Sequence, residues 1–358
     1  MLSEKNEAAL KKKIKKVRWR VYSYEKQKSK AKTALKSIES YNGKLSPALS
    51  KRAEEYAHEI LGWKGYSPWL KVYAAFRKEF KDGWIPNEYF GHVVAPQING
   101  TYGAIAQSKA LSSKLLGTKQ LPDVAYFVNG LFYYPTWEPM AEEDVEKQIF
   151  SDNSKVVYKT DSSCQGKGVF IISKKKFSTD DIRKKGNGVF QKFIIQHEFF
   201  EELVPNSVAN LRITSVIEDS GKASCRASFL KVAQSGKDTH VKSASDIIIP
   251  VEVSTGELND KGYLPNWHPV VERHPDTNTL FAGRPVPKFN QCIEFITKTH
   301  QGNPFSRVVG WDLSVDKDGE IQVMEWNGRF PGVKFSEATK GPCFADLGWE
   351  KLHKSHNP

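Results

Sequence analysis

Residues 308–327 read VVGWDLSVDKDGEIQVMEWN, a pattern that predicts two antiparallel strands. The strands are expected over 308–315 and 320–326, since both stretches are rich in valine and tryptophan. Asp318-Gly319 lies between them, and this dipeptide is typical of a tight hairpin turn. We therefore expect a β-hairpin at this point of the chain.

This hairpin carries three oxygen-bearing side chains. Asp312 stands on the first strand, and Glu325 and Asn327 stand on the second, where a spacing of two puts them on one face. Hard cations such as Mg²⁺ prefer oxygen ligands. The flanking Trp311 and Trp326 favour partial burial, where an unpaired carboxylate is costly. The pattern indicates a magnesium site; the alternative is a set of acids on a solvent-facing strand.

A second hairpin is predicted over 156–172. Two short apolar strands flank a loop of small residues, 160–167. Small residues allow backbone N–H groups to approach phosphate oxygens, and a lysine at the strand end adds positive charge. The chain has no Walker loop and no dinucleotide-binding glycine motif. The loop is either an ordinary turn or a phosphate cradle, whose candidate residues are Lys159, Gln165, Gly166, Lys167 and Gly168.

The segment after the next predicted strand is a candidate nucleoside site. Gln191-Lys192-Phe193-Ile194 is an extended stretch that could offer backbone groups to an adenine edge. Glu198 follows seven residues after Gln191 and could accept ribose hydroxyl groups.

The positive charge of the chain is concentrated at its N-terminus. Residues 1–36 hold 13 Lys or Arg against three Glu, a net charge of +10, so only +2 of the total +12 remains for the other residues. Apolar side chains recur there at helical spacing, which predicts a basic amphipathic helix. Such a helix could contact an anionic membrane surface or a polyanion, or be a solvated arm. The apolar positions are Leu10, Ile14, Val17, Val21 and Tyr24.

Length and composition limit the class of protein. The 358 residues suffice for two or three domains, and the longest apolar runs are too short to cross a bilayer. The four cysteines are far apart, which favours reduced thiols, and no secretory signal is recognisable. We expect a cytoplasmic protein that could lie at the inner face of the membrane. Nucleic acid is an improbable partner, because no nucleic-acid-binding motif is present.

The remaining chain gives coarser signals. Short helices are expected over 41–85, followed by strand pieces at 91–96 and 124–130 that flank a helix. An irregular insertion is expected over 256–287, and its Trp267-His268 pair is a candidate for acceptor binding.

The chain resembles the ATP-grasp superfamily in the order of four features. These are a strand that carries a lysine, a glycine-rich lid, a hinge segment and the pattern D-x12-E-x-N. The chain is more narrowly similar, over about 60–335, to the sugar-transfer-associated ATP-grasp proteins found with polysaccharide biosynthesis genes. That similarity rests on Gln191 with His197, Asn210-Leu211-Arg212-Ile213-Thr214, Pro250-Val251 to Thr255-Gly256, His274-Pro275-Asp276-Thr277, and Gly310-Trp311-Asp312 to Glu325-Trp326-Asn327.

The resemblance implies an α+β fold of the ATP-grasp type, in which two β-rich subdomains clasp a nucleotide. The charge and the apolar spacing predict the basic amphipathic helix over 1–40, and an N-terminal helical and pre-ATP-grasp domain is expected over 41–150. The small ATP-grasp subdomain would then occupy 151–235, and the central subdomain 236–358.

The resemblance also implies roles for single residues. The three hairpin residues named above would hold Mg²⁺, and Lys159 would contact phosphate. Lys114 resembles a second phosphate-binding lysine, with Lys109 as a rival. Arg212 and Lys231 would neutralise the γ-phosphate and an acyl phosphate.

Further roles concern the base and the acceptor. Gln191 and Ile194 would meet adenine, and Glu198 the ribose. Many ATP-grasp ligases carry an arginine two residues before the metal-binding aspartate, where this chain has Gly310. The stretch 242–247 also departs from the sequence pattern that the sugar-transfer-associated ATP-grasp proteins usually show before Pro250.

The function implied is that of an ATP- and Mg²⁺-dependent carboxylate–amine ligase working through an acyl phosphate. Its substrate would be a small molecule or a polysaccharide precursor, such as a uronic acid joined to an amino acid in capsular or extracellular polysaccharide biosynthesis. Two alternatives stay open: a phosphotransferase that hands its phosphoryl group to a hydroxyl, and a nucleotide-binding module of a glycosyltransferase assembly without turnover.

Overall fold

A computed structural model of the protein describes residues 4–152, 154–161, 163, 168–205, 207–234, 246–329 and 331–355. The α-helices within these residues are α1 (Glu4–Asn42), α2 (Pro47–Glu59), α3 (Ser67–Arg77), α4 (Asn87–Tyr89), α5 (Ala95–Ile98), α6 (Ser112–Leu116), α7 (Glu142–Ile149), α8 (Thr179–Lys185), α9 (Glu198–Leu203), α10 (Phe289–Gln301) and α11 (Lys334–Thr339). The strands are β1 (Asp123–Val128), β2 (Leu131–Tyr133), β3 (Pro139–Met140), β4 (Lys155–Thr160), β5 (Val169–Ser173), β6 (Gly188–Lys192), β7 (Asn210–Ile217), β8 (Ala223–Val232), β9 (Ile247–Val251), β10 (Lys261–Tyr263), β11 (Pro269–Val271), β12 (Val308–Val315) and β13 (Ile321–Asn327).

The chain divides into two compact units. Unit 1 contains residues 1–97, 266–268 and 332–358, and unit 2 contains residues 98–265 and 269–331.

Unit 1 is helical. The helix predicted for the basic segment is confirmed, and it continues to Asn42 as α1. Its C-terminal part packs against α3 and buries Ala31, Ala34 and Ile38. Two members of the predicted apolar face, Ile14 and Val21, are exposed. Among the described residues, no helix is long and apolar enough to cross a membrane.

The strand predicted at 91–96 is wrong. Residues Phe90–Val94 form a π-helical turn that continues into α5. The β-branched Val93 and Val94 favour a strand locally, but both are buried here in a helical unit. Packing therefore overrides their local preference.

Trp267 lies in the core of unit 1. Its side chain is 4% exposed and contacts the rings of Trp69, Phe76 and Phe335 at centroid distances of 5.7–6.0 Å. Its φ of 72° is unusual for a tryptophan, and the backbone holds the ring in this cluster. A buried ring of this kind stabilises unit 1 and is not exposed for acceptor binding.

Unit 2 contains two antiparallel sheets. The smaller has the order β3-β2-β1-β6-β4-β5, and the larger has the order β11-β10-β9-β8-β7-β12-β13. Both predicted hairpins are present, as β4–β5 and as β12–β13. The predicted irregular insertion supplies β10 and β11, two short strands at one end of the larger sheet. The α+β class with two β-rich layers is confirmed.

The larger sheet has one apolar and one polar face. Leu211, Leu230, Trp311 and Leu313 are fully or almost fully buried in one cluster, on the side where α10 packs against β7 and β8. Because side chains alternate along a strand, the residues between them point to the opposite face. That opposite face carries the candidate site.

Candidate active site

The site is built from charged residues that strand pairing brings side by side. Asp312 is directly opposite Arg212 on one neighbouring strand and opposite Glu325 on the other. Gly310 pairs with Asn327, and Asn210 pairs with Lys231. Directly paired residues lie on the same face, with Cβ atoms about 5 Å apart.

Arg212 binds Asp312 through both arms of its guanidinium group. Nε donates to Oδ1 and Nη2 to Oδ2, each at 2.7 Å, and Nη1 donates to the carbonyl oxygen of Pro331 at 2.7 Å. A Cβ atom on Gly310 would lie 3.2 Å from Nη1 and 3.0 Å from the Pro331 oxygen. The glycine therefore leaves room for Arg212, whose guanidinium lies beside the position where many ATP-grasp ligases carry an arginine.

Asp312 is ionised despite its burial. Burial alone would raise its pKa, but Arg212 and then Lys231 oppose this and hold the pKa of the carboxyl well below its usual range. Lys231 Nζ lies 3.8 Å from Oδ1, and the Asn327 amide donates to Oδ2 at 3.2 Å. Burial, and then the positive charge of Arg212, lower the pKa of Lys231.

Lys159 reaches the same place from the smaller sheet. A bulge in the β12–β13 pairing takes Met324 out of the ladder, since Asp312 faces Glu325 and Leu313 faces Val323. The freed carbonyl of Met324 accepts a hydrogen bond from Lys159 Nζ at 2.9 Å. Burial lowers the pKa of this lysine, and the charge of Glu325 partly offsets the effect.

Lys109, rather than Lys114, lies at the carboxylates. Lys109 is buried in a 3₁₀ turn; its Nζ donates to the Ser163 carbonyl at 2.9 Å and is 3.6 Å from Glu325 Oε1. Lys114 is exposed, and its ammonium lies over the ring of Trp137 at 5.5 Å. Sequence spacing could not show which of the two lysines lies at the carboxylates, because this depends on how the short helical turns of unit 2 pack.

The base of the second hairpin is tightly folded. The Gly168 carbonyl accepts from Thr160 N at 2.8 Å, and a side chain on Gly168 would collide with Thr160 and Ser163. Glycine is therefore required by close approach. Gln165, Gly166 and Lys167 lie outside the described residues.

Gln191 is anchored by a residue that the sequence did not single out. Its Nε2 donates to Asp123 Oδ1 at 2.8 Å, and Tyr126 donates to the other oxygen at 3.0 Å. Burial raises the pKa of Asp123, although the hydrogen bonds from Gln191, Tyr126 and Ser113 oppose the shift. Asp123 opens β1 directly after a proline, so its only sequence signal was a polar residue at a strand start.

The segment after β6 connects the two sheets. Lys192 pairs with Asp152 at 2.9 Å and is exposed, and Phe193 and Ile194 are half-buried. The chain then hydrogen-bonds to the end of β12, where His197 N donates to Val315 O at 3.0 Å. Glu198 is exposed at the first position of α9.

A sequence model of the sugar-transfer associated ATP-grasp family matches residues 133–347. The chain belongs to this family. Its matched region contains both hairpins, the segment after β6, and all the charged residues of the polar face.

Solved structures are similar to this ATP-grasp protein at low identity. A biotin carboxylase domain of the Hydrogenobacter thermophilus 2-oxoglutarate carboxylase, crystallised with MgADP, ADP and bicarbonate, shares 11% identity over 71% of this chain and 46% of its own, with a TM-score of 0.42. N5-carboxyaminoimidazole ribonucleotide synthetase from Thermotoga maritima shares 14% over 66% and 49%, with a TM-score of 0.35. D-alanine–D-alanine ligase from Bacillus anthracis, complexed with ATP, shares 16% over 70% and 64%, with a TM-score of 0.38. The chain spans about half the length of the first two. No curated protein matches it significantly.

The donor set fits a magnesium ion. Asp312 and Glu325 are paired across adjacent strands, and Asn327 lies one pair further along the same face. Like charges directly opposite each other repel unless a cation lies between or beside them. Within the described chain no cluster of three His, Cys, Asp or Glu side chains is found. Two carboxylates and an amide are nevertheless enough, because Mg²⁺ commonly binds one or two carboxylates and completes its shell with phosphate and water.

Proposed function

We propose that this protein is an ATP- and Mg²⁺-dependent carboxylate–amine ligase that forms an amide bond through an acyl phosphate. The observation that carries the proposal is the convergence of four cations on two paired carboxylates. Lys109 and Lys159 approach Glu325, while Arg212 and Lys231 approach Asp312. Such a cluster suits a substrate with several negative phosphate oxygens.

In this proposal the phosphate groups of ATP lie between the two sheets of unit 2. Mg²⁺ would be held by Asp312, Glu325 and Asn327, and when bound it would neutralise phosphate charge. Lys159 and Lys109 would bind phosphate oxygens from the side of the smaller sheet. Lys109 is buried and Lys159 is half-buried, which supports this role, since a charge in a poorly solvated site acts strongly on a bound anion.

Arg212 and Lys231 would act on the group that is transferred. The substrate carboxylate attacks the γ-phosphorus, ADP leaves, and the acyl phosphate formed is attacked by an amine with loss of phosphate. Fixed cations stabilise the oxygens that gain charge in both steps. The bidentate bond to Asp312 holds Arg212 in one orientation, so no reorganisation is needed during the reaction.

The adenosine would bind along Gln191 to Ile194, with Glu198 near the ribose. Gln191 is held by Asp123, which supports a fixed orientation of the segment. The predicted boundaries of the four sequence segments, and the contribution of Lys114, Gln165, Gly166 and Lys167, stay part of this proposal.

The substrates proposed are a uronic acid and an amino acid, joined in capsular or extracellular polysaccharide biosynthesis. The description of the family as sugar-transfer associated supports a sugar acid as one partner. The basic helix α1 would hold the protein at an anionic inner membrane surface. Its exposed Ile14 and Val21, beside many lysines, support this arrangement.

The test is ADP formation from Mg-ATP with pooled amino acids, in the presence and absence of uronic acids and nucleotide-linked sugars. We expect ADP to rise only when an acid and an amine are both present, with a new mass equal to their sum less water. A phosphorylated product without free phosphate would replace the ligase by a phosphotransferase. ATP binding without any turnover would favour the nucleotide-binding module.

Two substitutions on one hairpin, each replacing a glutamate by the uncharged glutamine, test where the activity is located. Glu325→Gln should abolish turnover, whereas Glu320→Gln, at an exposed position of the same hairpin, should leave it unchanged. Equal activity of both variants would contradict the assigned site.

The proposal on the phosphate lysines is tested likewise: Lys109→Met should raise KM for ATP at least tenfold more than Lys114→Met does, about 1.4 kcal/mol.

A further inference from the structure

The polar face of the larger sheet continues beyond Lys231 to Asp246, which precedes β9 directly. Val232 pairs with Ile247, and Lys231 pairs with Ile248. Because side chains alternate along an extended chain, Asp246 lies on the same side as Ile248 and therefore as Lys231. Asp246 and Lys231 are thus diagonal neighbours on the face that carries the active site.

Asp246 is half-buried, and its charge interacts with that of Lys231. Burial raises the pKa of Asp246 to about 6, against the opposing effect of Lys231. Within the described parts of the chain, no hydrogen bond or ion pair within 4 Å engages its carboxylate. A carboxylate in this state is available to bind a group that carries a proton, and it exchanges protons near neutral pH.

The position of Asp246 separates it from the magnesium ligands. Strand β9 is three strand spacings from β12, which is about 14 Å. Asp246 is therefore too far away to share a cation with Asp312, and Lys231 lies between the two acids. If Lys231 contacts the acyl phosphate, Asp246 lies next to that group, on the side of Lys231 away from Asp312.

We propose that Asp246 is the proton acceptor for the amine substrate. This inference rests on the proposed ligase function and names the end of the site that takes an ammonium group. The carboxylate of Asp246 removes one proton from the ammonium ion, and the lone pair released attacks the acyl carbon. The C–N bond forms, the C–O bond to phosphate breaks, and the phosphate leaves with that electron pair and with a second proton from nitrogen. Asp246 then returns its proton to solvent.

Hydroxylamine separates the base from the rest of the reaction. It traps acyl phosphates as hydroxamates and is largely unprotonated at neutral pH, so it needs no protein base. Amino acids are ammonium ions at that pH and do need one. The experiment uses the full chain with Mg-ATP and pooled uronic acids, and compares pooled amino acids with hydroxylamine as the nucleophile.

The variants are Asp246→Asn and, as a control, Asp260→Asn, an exposed acid directly before strand β10. In Asp246→Asn we expect amide formation to fall about 100-fold or more, while hydroxamate formation changes less than about twofold. Asp260→Asn should leave both unchanged. Asp246→Glu keeps a carboxylate and should recover part of the amide formation.

Two results would overturn the inference without touching the ligase reaction. One is hydroxamate formation that falls in Asp246→Asn as much as amide formation, which would indicate a structural role. The other is amide formation that does not fall in Asp246→Asn. If the wild-type chain makes hydroxamates but no amide, the amine-ligase function itself fails, and the role of Asp246 fails with it. If the wild-type chain forms neither product, the proposed function fails, and the role of Asp246 fails with it.

Discussion

In unit 2 a buried carboxylate is surrounded by cations, whereas in unit 1 two buried carboxylates are not. Asp312 has Arg212 at 2.7 Å and Lys231 at 3.8 Å. Glu88 and Glu337 are at most 1% exposed, and no described Lys, Arg or His nitrogen lies within 4 Å of either. Neither oxygen of Glu88 has a hydrogen-bond partner among the described residues. The carboxylate of Glu337 accepts two backbone N–H groups.

The difference appears in the protonation of the three acids. Burial raises the pKa of Glu88 and that of Glu337 to about 8, so both are mainly neutral at pH 7. The cations beside Asp312 outweigh its burial and keep it ionised. Burial alone therefore produces a neutral acid, and the adjacent cations are what keep Asp312 ionised.

The largest expected effect on stability comes from removing Arg212, the cation that binds Asp312 in unit 2. Arg212→Met leaves Asp312 buried beside a single lysine 3.8 Å away, and breaking a buried pair in this way costs about 3–5 kcal/mol. The free energy of unfolding in urea measures it. Adding Asp312→Asn to Arg212→Met should recover most of the loss, since no charge is then left buried.

The control is an exposed arginine–carboxylate pair at a similar distance, joined through one arm of the guanidinium group. Arg183 and Glu142 are 2.8 Å apart, but their side chains are 36% and 58% exposed. Arg183→Met should cost at most about 1 kcal/mol. Equal losses for the two arginines would show that burial of the Asp312 pair has no energetic consequence.

A smaller loss is expected when a buried acceptor in unit 1 is removed. Glu337 accepts from Ile85 N and Cys343 N, both at 2.8 Å. In Glu337→Gln one of these N–H groups would face an amide NH₂ group and lose its partner, which costs about 1–3 kcal/mol. Urea unfolding near pH 4 measures this cost, because Glu337 is then mainly neutral in both the folded and the unfolded wild-type chain. A variant as stable as wild type would show that the two bonds contribute nothing.

The other buried acid of unit 1 should respond to pH instead. The folded-state pKa of Glu88, about 8, lies above its unfolded value, so the folded state binds more protons and stability falls as pH rises from 4.5 to 8. Glu88→Gln removes this contribution. The variant should be close to wild type at pH 5 and about 2 kcal/mol more stable at pH 6.5, since each pH unit between the two pKa values costs the wild type about 1.4 kcal/mol. A constant difference across that range would mean that Glu88 does not titrate with folding.

Much of unit 2 could be predicted because local and tertiary signals agree there. The hairpin of β12 and β13 alternates core and polar residues, so the sequence pattern by itself predicts that Asp312, Glu325 and Asn327 share one face. The glycine at 168 was likewise recognisable as part of a tight turn.

Contacts between distant segments could not be predicted. The pairing of Arg212 with Asp312 depends on the register of strands 100 residues apart, and the choice between Lys109 and Lys114 depends on the packing of short helices. The helix at Val93 and Val94 was missed, since these residues favour strands until helical packing decides otherwise.

The smallest effect is expected for Lys334, the cation of unit 1 whose charge acts on Glu88. Lys334 lies over the ring of Trp69 at 5.0 Å, and burial, together with Lys30, lowers its pKa to about 8, while the charge of Glu88 opposes this. At pH 6 Glu88 is neutral and therefore does not stabilise the positive charge of Lys334, which burial disfavours. Lys334→Met should therefore leave stability at pH 6 unchanged or raise it by at most about 1 kcal/mol, because the methionine keeps the contact with Trp69. A loss of about 3 kcal/mol, like that expected for Arg212→Met, would mean that Glu88 is ionised and that the two units stabilise their buried acids in the same way.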